Sequence, residues 1–121
     1  MLGLCRKAGR LELGEVPALA AVKARSCKLL VLAADAADNT ARRAGALCQA
    51  NEIHVLTLRH TKEEFGAAMG RASCALGAVT DPGLAAAVLK ALDPEDREKH
   101  APTIEHLDKM SVRRNNRRRK R

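Results

Sequence analysis

Aromatic residues are almost absent from this 121-residue chain, which has one phenylalanine and neither tryptophan nor tyrosine. Proteins that stack single-stranded bases need exposed aromatic rings. Long apolar runs are missing too, because no stretch approaches the ~20 residues that a membrane-spanning helix requires. These absences exclude base-stacking platforms and membrane spans, and they predict a soluble protein with no membrane partner.

The four cysteines are widely separated, and their spacing matches no common metal-binding or redox motif. Cys5, Cys27, Cys48 and Cys74 form no CxxC pair, and the N-terminus lacks a signal-peptide pattern. Each falls on an apolar stripe or strand, which favours buried structural thiols over zinc ligands. A nucleophilic cysteine with a histidine partner stays open as an alternative. The cysteine usage predicts a reducing, cytoplasmic compartment.

Fingerprints of nucleotide binding and catalysis are missing as well. The segment "GRLELGEV" has two glycines, but it lacks the further glycine of a dinucleotide site and the Lys-Ser/Thr pair of a phosphate loop. The adjacent carboxylates Glu63 and Glu64 are fully explained as part of a helix cap. The sequence therefore predicts a protein that is not an enzyme, with no cofactor, no metal and no small-molecule substrate.

Positive charge is concentrated at the C-terminus of the chain. The net charge is +8, yet residues 1–110 hold 15 cations against 14 acids. The remaining cations follow Ser111 without any acid between them, and such a segment gains affinity for phosphates by releasing counterions. This predicts nucleic-acid contact, with an inert solvated end as the alternative. The predicted contact residues are Arg113, Arg114, Arg117, Arg118, Arg119, Lys120 and Arg121.

Apolar periodicity divides the first 93 residues into alternating short helices and strands. Strands are predicted at "LEL" (11–13), "KLLVLAA" (28–34), "IHVLTL" (53–58) and "CALGAV" (74–79), the second of them central because its unbroken apolar run indicates cover on both faces. Helices are predicted over residues 1–9, 15–25, 41–51, 61–70 and 82–93. The alternation predicts a three-layer α/β/α sandwich around a four-stranded mixed sheet.

Local signals mark where some of these helices begin and where the folded domain ends. Thr61 and Glu64 form a capping box, while Asp81 followed by Pro82 is an N-cap with proline at the first helical position. Residues 1–93 are predicted to form one domain, and the direct entry into a helix at Met1 leaves room for another domain before it. Residues 94–121 are predicted to be an acidic linker and a flexible arginine-rich tail, with one helical turn around residues 104–110.

Four segments share their order and spacing with one known family: "LGLCRKAGRLELGE", "CKLLVLAADAADNTARR", "TKEEFGAAMGRA" and "GAVTDPGLA". Over about residues 2–92 the chain resembles the bacterial YlxQ-type proteins of the ribosomal protein L7Ae family, which binds kink-turn RNA. The resemblance implies an α/β/α sandwich and a non-enzymatic binder of structured RNA, either kink-turn-like or ribosomal. It also implies a place in a cytoplasmic ribonucleoprotein.

The resemblance further implies that RNA meets one end of the sandwich. That end comprises the start of the second predicted helix (residues 14–16), the region of residues 35–43, and the loop before the last strand (residues 71–74). Free amides at a helix N-terminus suit phosphate, and nearby cations are expected to surround the edge. The predicted RNA-binding residues are Arg10, Gly14, Glu15, Val16, Lys28, Arg42, Arg43, Arg71, Ala72 and Ser73.

The chain departs from the family pattern at the second predicted helix. Kink-turn binders carry Gly-x-Asn-Glu-x-x-Lys there, and their polar side chains read sheared G·A pairs. In this sequence Gly14 matches, but Val16, Pro17 and Ala20 replace the asparagine, glutamate and lysine. RNA binding with reduced motif specificity is therefore expected. The alternative is a protein-interaction module on the same fold, with RNA contact only through the basic tail.

Overall fold

Four short strands and six helices make up the part of the chain that the structure describes. This computed structural model describes the backbone of residues 8–119 and the side chains of residues 8–113. The strands are β1 (Leu11–Leu13), β2 (Leu29–Leu32), β3 (Val55–Thr57) and β4 (Leu76–Val79). The helices are α1 (Glu15–Lys23), α2 (Asp38–Ala50), α3 (Lys62–Ala68), α4 (Pro82–Lys90), α5 (Pro94–Lys99) and α6 (Ala101–Arg119). The predicted order is confirmed from β1 to α4, and the predicted first helix falls mainly on residues outside this description.

The four strands form one mixed sheet in the order β1-β4-β2-β3. β2 pairs with β3 in parallel, whereas β4 is antiparallel to both β1 and β2. The predicted four-stranded mixed sheet is therefore confirmed, and β2 is an interior strand with all four residues buried. β1, β2 and β3 run in one direction and β4 runs in the other. One end of the sheet, called the Gly14 end, therefore holds the loops that follow β1, β2 and β3 and the loop that precedes β4. The opposite end, called the Lys28 end, holds the residues that precede β1, β2 and β3 and those that follow β4.

Both faces of the sheet are covered, which confirms the three-layer sandwich. Successive β2 side chains point to opposite faces, as the strand period of two requires. Leu29 and Val31 pack in the core shared with α3, α4 and α6, whereas Leu30 and Leu32 pack in the core shared with α1 and α2.

The predicted helix starts at Thr61 and Asp81 are present. The Thr61 hydroxyl accepts a hydrogen bond from the Glu64 amide at 3.1 Å, and the Glu64 carboxylate accepts one from the Thr61 amide at 3.0 Å. This bonding lowers the pKa of Glu64, because it favours the charged carboxylate. Asp81 accepts from the Leu84 amide at 3.0 Å, and Pro82 occupies the first turn of α4. Each cap fixes the point at which the chain leaves the sheet.

Residues 94–99 and 101–119 are helical, which extends the single helical turn predicted around residues 104–110 and corrects the prediction that the rest is irregular. Leu107 of α6 is 2% exposed and belongs to the core, with Ile104 and Met110 packed against it. These residues recur every third position and form a stripe that the charged residues between them obscure in the sequence. Lys90 and Asp108 pair at 2.9 Å, which joins α4 to α6. Helix α6, which follows the predicted boundary at residue 93, therefore packs on the same core as the residues before it. No helix in residues 8–119 combines the length and apolar character needed to cross a membrane.

Candidate nucleic-acid interface

The N-terminus of α1 opens at the Gly14 end without a side-chain cap. Gly14 has φ +99°, a conformation that side chains disfavour, and its amide donates to the Leu76 carbonyl at 3.0 Å. The first-turn amides of Glu15 and Val16 have no partner within the helix, since an α-helix leaves its first donors unpaired. Val16 is 81% exposed. The helix mouth is thus an accessible, partly positive surface that suits a phosphate or carbonyl oxygen.

The N-terminus of α2 lies at the same end and also lacks a side-chain cap. Arg42 and Arg43 follow in the next turn, and both are exposed. Arg43 Nη1 lies 3.0 Å from Glu15 Oε1, so an ion pair connects α2 to the mouth of α1. That carboxylate oxygen is fully covered but makes no aligned hydrogen bond. Glu15 thus neutralises one of the cations that the RNA edge was predicted to present.

Arg71 is directed to the same mouth by the end of α3. Gly70, at φ +75°, donates to the Ala67 carbonyl at 3.2 Å, and the Arg71 amide donates to the Gly66 carbonyl at 2.7 Å. This pair of bonds is a Schellman motif, which requires a left-handed residue and normally uses glycine. The Arg71 guanidinium lies 3.8 Å from the position that a Gly14 Cβ would occupy. The Arg71 guanidinium therefore lies within contact distance of the mouth of α1, where the positive φ of Gly14 favours glycine.

The loop that carries Ala72 and Ser73 is exposed but firmly anchored. A Cβ on Gly66 would lie 2.5 Å from the Ser73 Cα, so the loop backbone rests directly on α3. The Cys74 amide donates to the Lys62 carbonyl at 2.8 Å, and the Lys62 amide donates to Asp35 Oδ1 at 2.7 Å. These contacts hold the loops before β4 and after β2 at fixed positions.

Eight of the ten predicted RNA-binding residues converge at the Gly14 end, but Arg10 and Lys28 do not. Arg10 precedes β1, and its carbonyl accepts from the Thr80 amide at 2.9 Å. Lys28 precedes β2, and its amide donates to the Val79 carbonyl at 2.7 Å. Both residues therefore lie at the Lys28 end, because β1 and β2 run in the same direction. The convergent residues are Gly14, Glu15, Val16, Arg42, Arg43, Arg71, Ala72 and Ser73.

Only part of the predicted tail contact falls within the described side chains. Arg113 is exposed on α6. The side chains of the other six tail cations lie outside the described residues, and so do the backbones of Lys120 and Arg121. Their contact with nucleic acid stays a prediction.

The sequence reasoning overlooked Arg59, which the structure places at the Gly14 end directly after β3. Arg59 pairs with Asp96 of α5 at 2.8 Å, and this contact lowers the pKa of Asp96 and raises that of Arg59. Its position could have been read from the sequence, since a cation follows the predicted strand "IHVLTL". The pairing with α5 could not, because it depends on packing between distant segments.

The cysteines described by the structure are buried free thiols, as predicted. Burial raises the pKa of Cys27 to about 12 and that of Cys48 to about 11, so both thiols are protonated at neutral pH. This argues against either as a nucleophile, while Cys5 lies outside the described residues. Among the described side chains, no group of three His, Cys, Asp or Glu residues is placed to hold a metal ion.

Two comparisons with known proteins match this fold. The model of the ribosomal protein L7Ae/L30e/S12e/Gadd45 family matches residues 1–89. A solved structure described as a protein with unknown function from Bacillus halodurans C also matches, with a TM-score of 0.62 and 24% sequence identity. The match covers 86% of this chain and 92% of the Bacillus chain. At that identity the likeness shows a shared fold. A comparison with curated protein sequences finds no significant match.

Proposed function

Because the chain belongs to the ribosomal protein L7Ae/L30e/S12e/Gadd45 family, we propose that it binds structured RNA, kink-turn-like or ribosomal, at the Gly14 end of its sheet. Family membership supports the coarse role of RNA binding. The proposal that RNA binds at the Gly14 end is supported by one observation: the Arg71 guanidinium lies beside Gly14, at the uncapped N-terminus of α1. We place this activity in a bacterial cytoplasmic ribonucleoprotein, and we assign no catalytic step to it.

The groups at this end are suited to the RNA backbone. The first-turn amides of α1 donate to phosphate or carbonyl oxygens, and Arg71 can offer two parallel N–H donors to one phosphate. Arg42 adds an exposed cation on the adjacent helix. Contacts of this kind set position and orientation rather than sequence.

Base-specific recognition has little support at the helix mouth. The side chains of Val16 and Pro17 cannot form hydrogen bonds, and both are exposed where the kink-turn binders have polar residues. Val16 can offer only apolar contact to a sugar or a base face. Binding by shape and backbone, with reduced motif specificity, is the form of recognition that these residues favour.

The C-terminal cations are proposed to add affinity that depends on salt and carries little sequence information. Removing residues 113–121 should reduce the slope of log K against log salt by about 0.9 for each cation that contacts a duplex phosphate. The cut retains Leu107, which is in the core, and Ser111, which approaches α4. An unchanged slope would remove the tail from the binding account.

A gel-shift titration of the protein cut after Val112 tests the Gly14 end directly. The titration compares a kink-turn RNA, a plain duplex and a single strand. We expect the structured RNA to bind best and Arg71→Gln to weaken that binding about tenfold, because a charged hydrogen-bond donor is lost. Arg97→Gln removes an exposed arginine from α5 and serves as the matched control. If the shortened protein binds none of the three RNAs at micromolar concentration, a protein-interaction module with RNA contact only through the tail becomes the better reading.

A further inference from the structure

The Lys28 end of the sheet carries three cations, Arg10, Arg25 and Lys28, that form no ion pair with another described residue. Arg10 and Lys28 flank the end of β4, and Arg25 lies in the tight turn between α1 and β2, with φ +61°. Among the described residues, no ion pair joins Arg10, Arg25 or Lys28 to a carboxylate. Unpaired cations keep their full attraction for an external anion.

The surface between these cations and α6 is concave. A cavity of about 830 Å³ is lined by Arg25 and Lys28, with Asn51, His54 and Met110 among its other walls. One acid, Glu52, also lines it. Nearby, Asp81 is engaged as the cap of α4. Arg25 and Lys28 therefore outnumber the single acid, Glu52, among the residues that line the cavity.

The arginine-rich segment begins on α6, the helix that lines one side of this cavity. Met110 lines the cavity, and Arg113 follows it by about one helical turn. Seven cations and no acid lie from residue 113 to the end of the chain. Arg113 itself lines a different depression together with Lys109 and Val112, and the side chains of the cations after it lie outside the described residues.

We propose that the Lys28 end is a second RNA-contact surface, at which Arg10, Arg25 and Lys28 bind the phosphate backbone. The Gly14 end and the Lys28 end face opposite ways along the strands, about 13 Å apart for a four-residue strand. Because the two ends face opposite ways, one protein molecule can hold a separate RNA segment at each, and this bridging rests on the function proposed for the Gly14 end.

A two-RNA capture experiment with the full-length protein tests the proposal. A kink-turn hairpin is fixed on beads, protein is added, and a fluorescent plain RNA duplex is supplied in solution. Arg25→Gln combined with Lys28→Gln should lower the captured duplex about tenfold per bead-bound protein and reduce the salt slope of duplex binding by about 1.8. Arg97→Gln should capture as much duplex as the wild type. Circular dichroism on heating checks that each variant is folded.

Capture by the Arg25→Gln/Lys28→Gln variant at the wild-type level, with an unchanged salt slope, would overturn the second surface. A different variant tests the function proposed for the Gly14 end. If Arg42→Gln combined with Arg71→Gln binds the hairpin as the wild type does, the Gly14 end is not the hairpin site. The salt slope for the plain duplex still reports the Lys28 surface in that case, since it does not depend on the hairpin.

Discussion

The two ends of the sheet both carry cations, and two of the cations at the Gly14 end form ion pairs with acids. There Arg43 lies 3.0 Å from Glu15, and Arg59 lies 2.8 Å from Asp96. At the Lys28 end, no such pair involves the cations that precede β1 and β2 among the described residues. The family resemblance points to the end at which acids pair with part of the positive charge.

The difference separates two parts of RNA recognition. Fixed backbone donors and one oriented arginine, Arg71, can set the register of a structured RNA without strong long-range attraction. Unpaired cations and an arginine-rich segment attract the phosphate backbone but do not fix the position of the RNA, and this attraction weakens steeply with salt. On the two proposals above, the Gly14 end supplies geometry and the Lys28 end adds salt-dependent affinity.

The largest expected effect comes from detaching α6 from the Lys28 end. Leu107→Ala should lower the free energy of unfolding by about 2–5 kcal/mol, because Leu107 is 2% exposed and its loss leaves a cavity. Val112→Ala on the same helix is the control, since Val112 is 57% exposed and should change stability by less than about 0.5 kcal/mol. Urea titration measures both. Equal stabilities for the two variants would mean that α6 does not pack on the core.

The next largest effect is expected from displacing the loop at the Gly14 end. Gly66→Ala places a Cβ 2.5 Å from the Ser73 Cα, so the loop backbone must move, at a cost of about 1–3 kcal/mol. The shift also moves Arg71 and should weaken RNA binding. Gly45→Ala is the matched control, because no atom lies within 4 Å of its Cβ and helical alanine stabilises by about 0.5–1 kcal/mol. A stable Gly66→Ala variant with normal RNA binding would contradict the close packing of this loop.

Much of the fold could be predicted because its local patterns agree with its long-range packing. The capping residues Thr61 and Asp81 mark the beginnings of α3 and α4, and alternating apolar runs mark the strands. The C-terminal helices could not be predicted in this way. Helix α6 is stabilised by the contacts of Leu107 with residues distant in the sequence. The neighbours of Leu107 in the sequence are mostly charged, so the local pattern does not indicate a buried helix face.

The candidate site was predictable where it depends on local backbone chemistry. Gly14 and Gly70 mark the two turns that bring the α1 mouth and Arg71 together. Arg10 and Lys28 lie at the opposite end from Gly14, and the predicted strands already indicated this, because Arg10 and Lys28 precede β1 and β2 whereas Gly14 follows β1. The ion pair of Arg43 with Glu15 likewise depends on how α1 and α2 pack.

A smaller effect on RNA affinity is expected from releasing Arg43 from its ion pair with Glu15. Glu15→Gln removes the partner of Arg43 and should raise RNA affinity about two- to fivefold, since exposed ion pairs contribute about 0.2–1 kcal/mol. Glu12→Gln makes the same charge change at an exposed site in β1 that has no ion pair among the described residues. Titration with a kink-turn RNA compares them. An equal gain from Glu12→Gln would show that net charge, rather than release of Arg43, causes the effect.

The smallest expected effect is a pH dependence confined to the Lys28 end. His54 Nε2 lies 2.6 Å from His100 Nδ1 where α6 begins, and burial together with His100 lowers the pKa of His54 below its ordinary 6.5. The unfolded chain therefore binds protons more readily, so the free energy of unfolding should fall as the pH drops below 6.5. His54→Gln should flatten that dependence in urea titrations, whereas His60→Gln at the Gly14 end should keep it. The lowered pKa of Glu64 acts in a more acidic range, below its ordinary 4.5, and does not obscure the comparison. An unchanged dependence in His54→Gln would place the titrating group elsewhere than at the start of α6.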